Sequence, residues 1–328
     1  MKNISDLGER KAIQLIANIL SKGEVAVGIG DDCAAFEFGD EYLLVSTDMI
    51  SEKNHIPPVM KPWQIGWFIV AINLSDLAAK GGRPLGLVLS LGLPKKISVQ
   101  FLKELIRGAD DCSKFYGTSI VGGDTKESED VTICGTILGR VKKNEFMSRR
   151  GAKPGDVVAV TGTLGKAGAG YYALKYGKQD KKLLKGLLEP IPRIKEGRML
   201  AQEKFVTACM DISDGLSSSL YQLQTINNVG FTIEKEKIPI SQMLLNCLLE
   251  KDLEIYEYAL HFGGDYELLL TLPSDTVDQA ITSVARANNC LTIIGKVTKE
   301  DKITLIEGKR KKILPDKGYE HFSRNKLC

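Results

Sequence analysis

Residues 62–79 read PWQIGWFIVAINLSDLAA, and this stretch decides the fold. Apolar side chains recur at helical spacing from Trp63 to Ala79 and predict one long helix, with Pro62 suited to its first turn. Asp76 sits inside it among Leu74, Leu77, Ala78 and Ala79. A carboxylate in such surroundings is costly to bury alone, so a cation or a capping amide must accompany it, and a cation is the preferred reading. Strands are predicted on either side, at Tyr42–Val45, ending at Ser46-Thr47-Asp48, and at Leu85–Leu91. A helix at Val99–Tyr116 stopped by Gly117 follows, then strands at Ser119–Val121 and Val131–Val141 flanking Gly122-Gly123-Asp124-Thr125. A first helix is expected over Leu7–Leu20, with Asp6 as its cap.

Composition changes at Arg149–Gly155, where Arg-Arg-Gly-Ala-Lys-Pro-Gly is turn chemistry. Beyond it, strands are predicted at Val157–Val160, Phe205–Met210, Phe231–Ile233, Leu268–Leu272, Leu291–Val297 and Ile303–Ile306, and a helix at Leu216–Asn227. Alternating strands and helices in both halves indicate an α/β (α+β) architecture. A length of 328 residues accommodates two domains of roughly 150 each. The expected units are residues 1–148 and 149–328.

The hydrophobic fraction of 43% and charged fraction of 26% are those of a soluble globular chain. A net charge of +3, with only short basic runs (Lys181, Lys182 and Lys185, then Lys309 to Lys312) that read as solvated surface, gives no footprint for nucleic acid. No apolar run reaches the roughly 18 residues of a membrane span, and the N-terminus does not read as a secretory signal. The seven cysteines are scattered, with no C-x-x-C pair, so zinc is not indicated; reduced core cysteines in a cytoplasmic protein are.

Six acidic motifs set in glycines or hydroxyl residues carry the chemistry: Gly30–Asp32, Ser46–Asp48, Asn73–Asp76, Gly122–Thr125, Asp211–Gly215 and Gly263–Tyr266. Taken singly, each also reads as a turn, a hairpin or a helix cap. Together they suit hard cations, since magnesium takes oxygen ligands and shares them with phosphates. The glycines of Gly122–Thr125 would let backbone amides approach a phosphate, and a helix start after Asp211-Ile212-Ser213-Asp214 would attract one. Gly162–Gly168 fails the spacing of the known nucleotide loops and reads as a tight turn with close helix packing. None of the three histidines completes a Ser-His-Asp order.

In this order, the motifs resemble those of the thiamine-monophosphate kinases, a family within the aminoimidazole-ribonucleotide-synthetase-like ATP enzymes. The similarity runs from Gly28-Ile-Gly-Asp-Asp-Cys-Ala through Ser46-Thr-Asp, His55, Ala71-Ile-Asn-Leu-Ser-Asp-Leu-Ala-Ala, Gly122-Gly-Asp-Thr and Arg150-Gly-Ala-Lys-Pro-Gly-Asp. It continues through Val160-Thr-Gly-Thr-Leu-Gly, Asp211-Ile-Ser-Asp-Gly-Leu, Asp265-Tyr-Glu-Leu and Gly318-Tyr-Glu-His-Phe. The resemblance implies a two-domain fold whose N-terminal sheet pairs with its twin in a homodimer. It implies that Asp32, Ser46, Thr47, Asp48, Asp76, Asp124, Asp211 and Asp214 hold several magnesium ions. Gly123, Asp124, Arg149 and Ser213 then contact ATP, and His55 contacts thiamine monophosphate. Three positions depart from the family pattern. Gly264 takes the place of a glutamate before Asp265-Tyr266-Glu267-Leu268, Asp316 that of a tryptophan before Lys317-Gly318-Tyr319, and Lys80 that of an apolar methionine.

The implied reaction moves the ATP γ-phosphoryl group onto the phosphate of thiamine monophosphate. An acceptor phosphate with a second pKa of about 6 needs no general base at neutral pH, so positioning and charge neutralisation must supply the catalysis. Gly264 and Asp316 keep open a related phosphotransferase or synthetase with another acceptor; a non-catalytic nucleotide-binding dimer is the other alternative. The terminal Cys328 matches the hydrogenase-maturation relatives only in its last residue.

Overall fold

The computed structural model describes residues 3–21, 23–178, 180–248 and 252–322, and for 252–254 the backbone only. Cys328 lies outside them. The first half contains α1 (Glu9–Ile19), β1 (Ala34–Phe38), β2 (Glu41–Ser51), α2 (Glu52–His55), α3 (Pro62–Ala79), β3 (Arg83–Leu93), α4 (Val99–Phe115), β4 (Ile120–Glu127) and β5 (Thr132–Lys142). Its strands form one sheet in the order β1-β2-β5-β3-β4. Only β3 and β4 run parallel in this sheet, and α4 is the crossover that a parallel pair requires.

The alternation along β2 and β5 sets the two faces of this sheet. Leu44, Ser46 and Ile50 of β2, and Ile133 and Ile137 of β5, are buried on the inner face. Thr47, Met49, Ser90 and Asp124 stand on the outer face and are exposed.

The helix read from residues 62–79 is the centre of the molecule. Most of α3 is buried, as a helix apolar on all sides must be. It lies on the inner face of the sheet, crosses α4, and reaches the second half. A Cβ on Gly66 would stand 1.9 Å from the Leu105 carbonyl oxygen, and one on Gly108 would stand 1.8 Å from that of Trp63. Glycine at both points is what lets the two backbones touch.

The second half contains β6 (Val157–Thr161), α5 (Lys166–Lys175), α6 (Lys181–Leu188), α7 (Ile194–Glu203), β7 (Ala208–Asp211), α8 (Leu216–Asn227) and β8 (Gly230–Glu234). It continues with α9 (Gln242–Cys247), α10 (Asp252–His261), β9 (Leu268–Leu272), α11 (Val277–Arg286), β10 (Leu291–Thr298), β11 (Ile303–Glu307) and β12 (Arg310–Ile313). The sheet order is β12-β11-β8-β10-β6-β9-β7. Successive residues of its central strands enter different cores. Ala159, Cys209 and Leu270 join the core built on α3, while Val158, Met210 and Leu269 join a second core with Leu216 and Leu220 of α8. One face of the second sheet is therefore packed against the first half, and the ends of β7 and α3 meet.

Three local expectations change. The strand at Tyr42 runs on through Ser46-Thr47-Asp48 to Ser51, so that motif lies within β2. Gly122–Thr125 belongs to strand β4 and is no hairpin turn, because β3 lies between β4 and β5. Asp6 does not cap α1: Gly8 holds that position, and Asp6 instead accepts from the backbone N–H of Asn3 at 2.9 Å.

Candidate active site

The alternation of β2 turns Ser46 and Asp48 toward α3, and one turn of α3 returns Ser75 and Asp76. The loop before β1 supplies Asp31 and Asp32, and the end of β7 supplies Asp211, with Ser213 and Asp214 just before α8. These residues, except Ser75, line one cavity of about 1230 Å³ together with Thr47, His55 and Arg149. Carboxylate oxygens of Asp32, Asp76 and Asp211 lie within 4.8 Å of one another. Ser46 donates to Asp76 through a short hydrogen bond, and Ser75 Oγ donates to Asp211 Oδ2 at 2.7 Å.

Crowding buried acids raises their proton affinity. Burial, then repulsion from Asp48, Asp211 and Asp32, pushes the Asp76 carboxyl well above the usual range. Burial and the nearby Asp32 push Asp211 up to about 7. Burial, with Glu9 behind it, lifts Asp214 to about 7, and burial lifts Asp48 to about 6. Where Asp48, Asp76 and Asp211 crowd together with Ser46 and Ser75, oxygen donors and concentrated negative charge make the donor set of a hard divalent cation.

The Asp31–Asp32 end is different. Arg149 Nε donates to Asp32 Oδ1 at 2.7 Å, and its Nη1 donates to Gln222 Oε1 at 3.0 Å. Lys80, fully buried, lies 2.6 Å from Asp31 Oδ1 and 2.8 Å from Asp32 Oδ2. Asp31 also accepts from Ser148 Oγ at 2.8 Å and from the Arg149 backbone N–H at 3.0 Å. Neighbouring cations thus hold the Asp31 carboxyl below the usual range, Lys80 foremost, against the opposing effect of burial.

The wall also carries apolar and aromatic side chains, among them Phe68, Phe101, Tyr171, Leu174, Phe262 and Tyr266. Tyr171 stacks on Phe262 with ring centroids 4.9 Å apart. At the rim, His55 Nδ1 accepts from the Ser51 N–H at 3.2 Å, and its ring lies 5.4 Å from that of His321. Burial, and His321 beside it, hold the His55 imidazole below its usual value.

Two predicted site residues stand apart. Gly123 and Asp124 lie on β4 and do not line this cavity; Asp124 is exposed, with Lys126 at 3.7 Å. Thr47 borders the cavity, but its hydroxyl turns to the outer face, donating to Gly135 O at 2.9 Å. The sixth acidic motif serves the architecture. Asp265 accepts from the backbone N–H groups of Gly165 at 2.5 Å and Ala167 at 3.0 Å, fixing the start of α5. Glu267 is clamped by Arg193, Lys166 and Thr161. The Gly162–Gly168 turn is the tight turn expected, with Gly162 at φ +57° and Gly165 at φ +87°. Ser75 and Lys80 have no site role assigned from the sequence; Ser75 adjoins Asp76, and Lys80 is a charge directly after a largely apolar helix.

Residues 30–141 match the family model of AIR synthase related protein, N-terminal domain, and residues 153–308 that of AIR synthase related protein, C-terminal domain. The two sheets and the acid-lined cleft between them are thus those of an AIR synthase related protein. Similarity is high to the thiamine-monophosphate kinases of Methanospirillum hungatei JF-1 (38% identity, 89% of this chain and 92% of the relative) and Aquifex aeolicus (33%, 97% and 99%). A solved structure, AaThiL complexed with AMPPCP and TMP, superposes with a TM-score of 0.87 at 31% identity, over 98% of this chain and 99% of that one. The chain belongs to the thiamine-monophosphate kinase family.

Proposed function

We propose that this chain transfers the γ-phosphoryl group of ATP to the phosphate of thiamine monophosphate, giving ADP and thiamine diphosphate. The observation that carries the reading is the triad Asp32, Asp76 and Asp211 converging inside a cavity that aromatic side chains also line. The acids suit polyphosphate with its counter-ions, and the aromatic side chains suit an apolar ring system. The relatives' names and the nucleotide analogue and TMP bound in AaThiL support the same pairing.

Asp32, Ser46, Asp48, Asp76, Asp211 and Asp214 would hold magnesium, while the Thr47 hydroxyl is turned away to Gly135 O. Magnesium bound there supplies neutralisation of the charge on both phosphate partners. Arg149, anchored on Asp32 and Gln222, and Ser213 present donors to ATP. His55 at the rim faces the acceptor. No side chain is required as a general base, because the acceptor oxygen is already deprotonated near neutral pH.

We read the molecule as a homodimer joined through the exposed outer face of the first sheet, with Gly123 and Asp124 serving the cleft of the second copy. The division into residues 1–148 and 149–328 follows the two sheets. Among the described residues no helix is long and apolar enough to cross a membrane. The described cysteines are free thiols, which supports a cytoplasmic location.

Incubation with magnesium-ATP and thiamine monophosphate tests the assignment, with ADP and thiamine diphosphate measured separately. Formation of both in equal amount is expected. Turnover of another phosphorylated acceptor with none of thiamine monophosphate would favour the second reading. That reading is supported by Gly264 and by Asp316, which pairs with Arg10 at 2.6 Å.

A further inference from the structure

The bulkiest side chain fully enclosed by this fold is a lysine. Lys80 directly follows the last residue of α3, where unpaired helix carbonyls favour a cation. Its ammonium lies 2.6 Å from Asp31 Oδ1 and 2.8 Å from Asp32 Oδ2, and donates to the Cys209 carbonyl at 2.9 Å. The Phe146 ring centroid is 6.0 Å away. An ammonium has three N–H groups, and three oxygens surround this one.

The acid triad is therefore asymmetric. Asp76 and Asp211 are supported by hydroxyls, from Ser46 and Ser75. Asp32 is gripped by two protein cations, Arg149 on Oδ1 and Lys80 on Oδ2. A divalent ion entering the triad meets a fixed positive charge 2.8 Å from Asp32 Oδ2, a buried oxygen that accepts no hydrogen bond.

We infer that Lys80 is a positioning residue, a resident cation that holds Asp31 and Asp32 in place without metal and whose charge opposes a divalent ion at Asp32 Oδ2. It thereby weakens ion binding at the triad and makes the loop that carries Asp31 and Asp32 independent of it. This rests on the reading of the triad as a cation site.

The test is titration of the nucleotide-free protein with Mn2+, following the free-ion signal by electron paramagnetic resonance, with melting curves in chelator and in Mn2+. Lys80→Met removes a like charge 2.8 Å from Asp32 Oδ2, so Mn2+ should bind about tenfold or more tighter than in the wild type. The variant should melt lower in chelator and gain more from Mn2+. Lys80→Arg keeps the charge and should keep wild-type affinity. Should Lys80→Met fail to fold, the double variant Asp31→Asn with Lys80→Met removes opposite charges together and is expected to show the same tightening. Unchanged or weaker Mn2+ binding, the result of a packing role, overturns the inference while leaving the cation site standing. Absence of Mn2+ binding in every protein overturns the site itself, and the inference with it.

Discussion

Asp48 and Asp124 belong to one five-stranded sheet but stand on opposite faces of it, three strands apart. The row through Asp48 passes Gly135 and Leu89 to Gly123, and Asp124 occupies the next row, on the face of Met49. At about 4.8 Å per strand the separation is roughly 14 Å. One chain cannot bring both carboxylates to one ion. In the proposed homodimer, Asp48→Asn damages a chain's own cleft and Asp124→Asn damages its neighbour's. Each variant alone should be nearly inactive. Unfolding and refolding the two together should return about a quarter of wild-type activity, because half the dimers are mixed and each holds one intact site. No recovery on mixing would contradict a shared site.

Asp211→Asn separates catalysis from folding. The amide still accepts from Ser75 Oγ, and one charge leaves a crowded, buried set. Turnover should fall at least about 100-fold, since several kcal/mol of charge stabilisation is at stake. The melting temperature in chelator at pH 8 should equal or exceed that of the wild type. A variant that melts much lower would place Asp211 among structural residues.

The raised carboxyls make metal-free stability depend on pH in a definite direction. Asp211 and Asp214 move from an ordinary 3.8 up to about 7, and Asp48 to about 6. A group whose folded pKa is raised contributes stability below its unfolded pKa and loses it as pH rises through the folded value. Stability in chelator should therefore fall between pH 4 and pH 7, by at least about 2 kcal/mol. His55 and His261, held low by burial, work the other way, losing stability as pH falls below 6.5. The acids outnumber them. Denaturant melts at pH 5 and pH 8, with and without magnesium, check this: magnesium should remove most of the difference.

The crossing of α3 and α4 gives a stability prediction independent of the site. A methyl group at Gly66 would overlap the Leu105 carbonyl. Gly66→Ala should force the helices apart and cost about 1–3 kcal/mol, measured by urea denaturation. A neutral result would mean that the two backbones are not in contact.

Arg193→Ala probes the clamp on Glu267. Glu267 is fully buried, and Arg193 reaches it at 2.7 Å and 2.5 Å. Removing the guanidinium leaves a buried carboxylate with only Lys166 and Thr161, and should cost about 3–5 kcal/mol. Arg193→Ala with Glu267→Gln should recover much of that loss, a double-mutant cycle that a merely bulky role for Arg193 would not reproduce.

The chain's local chemistry is written in short-range order. The apolar run at 62–79, the alternation from Thr132 to Lys142 and the turn residues at 149–155 each name their element, because helix and strand periodicity depend on neighbours a few positions apart. The acids were legible as a set for the same reason: Asp32, Asp48, Asp76, Asp211 and Asp214 each sit in a recognisable motif, and the cavity gathers them. Gly122–Thr125 reads in sequence as a loop between two strands but lies within β4, because whether two strands pair directly depends on which strand lies between them.

Sequence alone therefore read the long central helix, most of the strands, the acidic motifs and the family these motifs resemble. Only the folded chain decided which carboxylates share a cleft, that Asp124 faces away from it, that Asp265 and Glu267 serve the architecture, and that Lys80 lies buried among the acids. Those are relations between residues dozens of positions apart. They are fixed by strand order, face and burial, which no local pattern encodes.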